Sequence, residues 1–121
     1  MTIACAYVLM VLAVGHVTVG YAMYRDAIHA LFRDGYFGAA AGHPDRLLAF
    51  WFILFSATLM LLGQLVLYSA RTQDKTLLLI LSLYIGLIGI TGALALPRSP
   101  FLVAVIIAPV LFWQAAGNNP L

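Results

Sequence analysis

The sequence predicts an all-α integral membrane protein, a four-transmembrane-helix bundle with an amphipathic or re-entrant segment between helices 1 and 2. Three observations carry that expectation. Of the 121 residues 64% are hydrophobic and only 8% charged, with a mean hydropathy of +1.05, whereas soluble domains are roughly one quarter charged. Four apolar runs, at 2–24, 47–70, 76–96 and 101–116, are separated by polar punctuation, and a spanning helix needs ~20 residues. Backbone groups in hydrocarbon must be satisfied within their own segment, so these runs read as helices. Finally, the residues joining the first two runs repeat at helical period instead of reading as a solvated linker. On length, residues 1–121 form a single domain.

The first run, 2–24, lacks the basic leader region of a cleaved signal peptide and is too long for one. His16 sits near its middle, about 12 Å below the Tyr24 end at 1.5 Å per residue. An intramembrane ionisable group is costly to bury and marks a candidate site. Gly20 and Met23 follow His16 on the same face, and Gly20 is expected to leave an opening toward the charged loop.

That loop, 25–45, places Ile28, Leu31 and Phe32 on one helical face and Asp26, His29 and Arg33 on another, up to Gly35. The following "GYFGAAAG" is small and aromatic, with Gly38 and Gly42 spaced as in close-packed helices. Residues 25–45 read as a lid or re-entrant element, or as an extension of the first helix followed by a turn.

Pro44 and Asp45 open the second helix, Asp74 caps the third, and Ser99 with Pro100 reads as the cap and first residue of the fourth. On the second helix Arg46, Phe50, Ile53, Ala57, Met60 and Gln64 share a face. Arg46 is expected to snorkel to headgroups, or else to anchor an anion or carboxylate at the mouth of a cavity. Gln64 reads as an interhelical hydrogen-bond partner. The third helix carries a small-residue stripe, Ser82, Gly86, Gly89 and Ala93, suited to close helix packing. Tyr84 lies inside this span, so its hydroxyl should seek a partner. The fourth helix is short and contains Pro109, which predicts a kink or a bare crossing.

Loops one and three carry Arg25, Arg33, Arg46 and Arg98, and loop two carries Arg71 and Lys75. That places the first-loop side in the cytoplasm and both termini outside a bacterial plasma membrane. The margin is thin, and the vote is close to void if Arg25 or Arg46 belongs to a site instead of a flank.

Several chemistries are disfavoured. Six basic residues spread over loops make no nucleic-acid footprint, despite a net charge of +2. Cys5 is alone and forms no internal disulfide. His29 and His43 lie outside the apolar runs, so no bis-histidine haem is expected, and the three histidines lack zinc-ligand spacing. No metal or other cofactor is implied. Neither a nucleophile elbow nor a phosphate-binding loop is present.

What remains is acid/base chemistry by His16, whose ordinary pKa suits proton transfer, with Asp34 or Asp26 folded over it as orienting or opposite partner. Gly20, Met23, Tyr24, Tyr36, Arg46, Phe50, Trp51 and Tyr84 would line a site for a lipophilic small molecule arriving from the lipid bilayer. Isomerisation, epoxide opening and cyclisation fit such a site. The purely structural alternative has a neutral imidazole hydrogen-bonded to Tyr84, Ser56 or a backbone carbonyl.

The layout, with "GHVTVG" in the first span, "RDG" before the second and "RLLAFWFILFSATLMLLG" within it, resembles the small four-helix bacterial membrane proteins grouped as DoxX-like and related uncharacterised families. The resemblance implies the four-helix fold and transfers no catalytic residue. Small multidrug-resistance transporters share the size and span count, but they use a glutamate in the first helix, and this chain has no glutamate. Three functions stay open: a membrane-embedded acid/base enzyme, which is preferred; a small proton-coupled transporter; and an accessory or anchor subunit. A homo-oligomer would cover exposed faces. The enzyme requires open space beside His16.

Overall fold

The long apolar runs fold as helices, and their ends fall where caps and turn residues stand. The computed structural model describes residues 1–97 and 99–117. Four helices follow in order: α1 (Thr2–Arg33), α2 (Pro44–Thr72), α3 (Lys75–Ala95) and α4 (Phe101–Ala116). The first three are long and apolar enough to cross a membrane, whereas α4 is a shorter apolar helix of 16 residues. Arg98, counted above for topology, lies outside the described residues.

Helix α1 does not stop at Tyr24. It runs on to Arg33, so the amphipathic stretch of the first loop is its continuation. Tyr24 itself leaves helical geometry (φ −116°, ψ 21°) and kinks the helix there. The expected end at Gly35 is met by a left-handed turn, with Gly35 at φ 89° and Tyr36 at φ 62°. Residues 34–43 are a chain of turns rather than a second helix.

The remaining boundaries have local causes. Pro44 begins α2 with Asp45 in its first turn, where a missing N–H and a negative charge are both favourable. Asp74 caps α3, its carboxylate accepting from the Leu77 amide at 2.9 Å. Ser99 departs from expectation: α4 begins one residue later, with Pro100 in the cap position. The Ser99 hydroxyl donates back to the Leu96 carbonyl at 2.6 Å instead of capping α4.

The chain divides into two compact units. One comprises Met1–Met10 and Leu62–Leu121, the other Val11–Leu61. In the first, Ala6, Leu9, Val66, Leu78, Leu81, Ile85, Ile107, Ala108 and Leu111 make an apolar core. The small-residue stripe of α3 meets α4 closely. A Cβ on Gly89 would lie 2.9 Å from the Val105 backbone nitrogen, and one on Gly86 would lie 3.3 Å from Ala108 Cβ; Gly92 faces the Phe101 ring. Lys75 Nζ donates to the Gly117 carbonyl, tying the start of α3 to the end of α4.

In the second unit, Ala13, Gly20, Ala27 and Leu31 are the buried positions of α1, and Ala49 and Ser56 those of α2. His16 falls in register with that α1 stripe, at the three- and four-residue steps that define one helix face.

Candidate functional site

The site is built from the facing stripes of the Val11–Leu61 unit. His16 stacks flat on Phe52, with centroids 3.9 Å apart and planes inclined by 6°, and meets Phe55 edge-on at 5.6 Å. Phe52 therefore holds His16 through its ring.

Gly20 does not leave the expected opening. A Cβ there would meet Phe52 Cδ1 at 2.6 Å and Ile53 Cδ1 at 2.9 Å. The missing side chain admits the aromatic ring that stacks on His16, so the room is taken up by packing. Tyr24 closes the same corner, its ring 5.3 Å from Phe52.

The aromatic residues around His16 are Phe52 and Phe55, not the predicted Phe50 and Trp51. Those two contact each other edge-on at 5.4 Å, and Trp51 is exposed. The helical repeat explains the difference: Phe52 and Ser56 continue from buried Ala49 at three and four residues, whereas Trp51 projects from another face. The Ser56 hydroxyl is buried without a hydrogen-bond partner, so the expected bond to His16 is not made. Tyr84 and Gln64 are likewise exposed rather than turned inward.

A second polar group lies at the loop. Arg46 Nη2 pairs with Asp34 Oδ2 at 2.8 Å, and its Nη1 donates to the Ala39 carbonyl at 2.9 Å. With its side chain only 12% exposed, Arg46 does not snorkel outward. It is paired with the chain's own Asp34 carboxylate. Arg33 Nε adds a 3.3 Å contact to Asp34 Oδ1. Arg46 first, and Arg33 second, hold the Asp34 carboxyl below the usual carboxylate range. Asp34 is thus committed to arginines, and Asp26 is exposed.

Tyr21 and His29 form a further pair, hydrogen-bonded at 3.1 Å with their rings edge to face. The kinked Tyr24 lies between them in the chain. Met23 and Tyr36 are exposed. Among the described residues no cluster of three or more His, Cys, Asp or Glu side chains could hold a metal ion.

A model of the Family of unknown function (DUF6463) matches residues 2–118. The chain belongs to that family. No curated protein and no solved structure matches it.

Two features of this family member were not anticipated: the Phe52 stack and the Arg46–Asp34–Ala39 tie. The first had a signal in the aromatic run "FWFILF", once its faces are separated by the helical repeat. The second had none, because it depends on how the turns at 34–43 fold. Arg33 and Arg46 are both engaged by Asp34, so the arginine count that set the membrane orientation loses its margin.

The other unit presents a shallow groove of about 320 Å³ along α3 and α4, between Ser82, Gly86, Ile90, Val105 and Phe112. Its lining contains no titratable side chain.

Proposed function

We propose that this DUF6463 member is an integral membrane protein serving as an accessory or anchor subunit, a helical scaffold for a membrane assembly, rather than an acid/base enzyme. Bilayer residence is supported by three helices of spanning length and composition. It is supported too by large apolar side chains, such as Val11, Leu94, Ile106 and Trp113, on outward surfaces. Soluble monomers rarely expose contiguous apolar patches beyond a few hundred Å².

The observation that carries the choice of role is the filling of the space at Gly20 by Phe52 and Ile53, together with the flat stack of His16 on Phe52. A proton-transfer site needs the imidazole within hydrogen-bond reach of a bound substrate atom. Here one ring face is packed, and the carboxylate meant to assist it is held by Arg46 and Arg33.

Native mass spectrometry from mild detergent tests this reading on wild type and His16→Phe. A scaffold should retain its assembly mass in both, because phenylalanine preserves the stack. A small lipophilic molecule bound stoichiometrically to wild type and lost from a folded His16→Phe protein would sink the scaffold role and restore the acid/base enzyme.

A further inference from the structure

The turns after α1 carry an aromatic group turned away from the protein. Phe37 is 98% exposed and Phe32 68%, and Tyr36 is also exposed. The Phe32 and Tyr36 rings stack at 5.5 Å. In water such a cluster would gain by folding inward, since burying a phenylalanine is worth roughly 1.5–3 kcal/mol. The backbone holds it out instead: Gly35, Tyr36 and Gly38 all have positive φ, of 89°, 62° and 71°.

The main chain of this segment satisfies much of its own hydrogen bonding. The amides of Asp34, Gly35, Tyr36, Phe37, Ala39, Ala41 and His43 donate to carbonyls of Ala30, Phe32, Leu31, Gly35, Tyr36, Gly38 and Ala40 respectively. Arg46 takes the Ala39 carbonyl. Paired backbone groups are what a segment needs where water is scarce. The only acid in 34–43, Asp34, is offset by Arg46 and Arg33, and Arg33 keeps most of its side chain in the open. Around this segment Arg25, Arg33 and Arg46 balance Asp26, Asp34 and Asp45, so the exposed surface is aromatic and without net charge, the composition of a membrane interface.

We propose that Phe32, Tyr36 and Phe37 form a membrane-interface wedge, with a lipid surface as its partner. The inference rests on the bilayer residence argued above. The wedge sits at the end of α1, itself long and apolar enough to cross a membrane, so the acyl boundary is continuous with the proposed span. Aromatic rings at such a boundary enter it by about 5–10 Å.

The test uses tryptophan fluorescence of the full chain in phosphatidylcholine–phosphatidylglycerol vesicles carrying bromine either near the headgroups or near the chain ends. Phe37→Trp is made with Trp51→Phe and Trp113→Phe, so that one indole reports; Phe32→Trp in the same background is a second reporter. The expected result is blue-shifted emission quenched more by shallow than by deep bromine. Wild type supplies the control through its exposed Trp51 and Trp113. Quenching of wild type with red-shifted, unquenched emission from both reporters would overturn the wedge while keeping bilayer residence. Blue-shifted but unquenched reporters would also overturn it, by showing protein rather than lipid over the rings. If wild type is unquenched as well, bilayer residence fails and the wedge falls with it.

Discussion

Gly20 and Gly89 both lie on buried helix faces, and a Cβ on either would collide with a neighbour, but the neighbours differ. At Gly20 they are the far ends of Phe52 and Ile53 side chains; at Gly89 they are the backbone of Ala104 and Val105. One contact can yield by rotation and the other only by separating two helices. The same contrast extends to the units that hold them. Val11–Leu61 is joined by ring contacts and an ion pair at a loop. The α3–α4 hairpin of the other unit is joined by small residues at close range, the form of adhesion that works in lipid, where apolar burial alone drives little.

The largest effect is expected at the rigid contact. Gly89→Leu should destabilise the protein by about 3 kcal/mol, the upper part of the usual overpacking range, read as a fall in the unfolding midpoint in detergent. Little change there would break the contrast. Next comes Arg46→Ala, which removes the charge-assisted bond to Ala39. A loss of about 2 kcal/mol is expected, together with faster proteolysis within 34–43 than in the helices; unchanged cleavage would mean the tie does not hold the loop.

Gly20→Ala should cost less, about 1 kcal/mol, because Phe52 can rotate aside. The sharper readout is the His16 ring environment by NMR, which should shift as the stack opens. A cost matching that of Gly89→Ala would erase the distinction between yielding and rigid contacts. The smallest effect concerns Asp34, whose carboxyl is held low by Arg46 and then Arg33. A depressed folded-state value means its contribution is complete above the unfolded value, ~3.9, and is lost only as pH falls through the lower folded one. Carbon-13 titration should place its midpoint below that of a free aspartate and return it upward in Arg46→Gln. A midpoint at the ordinary value would deny the pairing.

The helices were largely legible because apolar runs and caps are local. Asp74 and Pro44 act as their types and positions predict, and the stripe through Gly86 and Gly89 meets another helix as its spacing implies. The extension of α1 was half legible: Ile28, Leu31 and Phe32 have helical spacing, but nothing in "YRDA" marks whether the helix is continuous with the first run or begins anew. The site was the least legible part. A glycine beside an imidazole is equally compatible with a void and with an inserted ring, and only Phe52 decides between them. The partner of Arg46 hinges on the positive φ of Gly35, Tyr36, Gly38 and Gly42, which bring Asp34 back toward α2.

The break at Tyr24 bears on bilayer thickness. Helix α1 has 32 residues, about 48 Å if straight, well beyond a hydrocarbon core of about 30 Å. The residues before Tyr24 alone come to about 33 Å. In a bilayer, a helix with a joint at that point can set the angle of its last turns separately from that of its span. On the proposed bilayer residence, excess length would be taken up by lateral deflection rather than by tilting the whole rod, which would let the same chain fit thinner and thicker membranes.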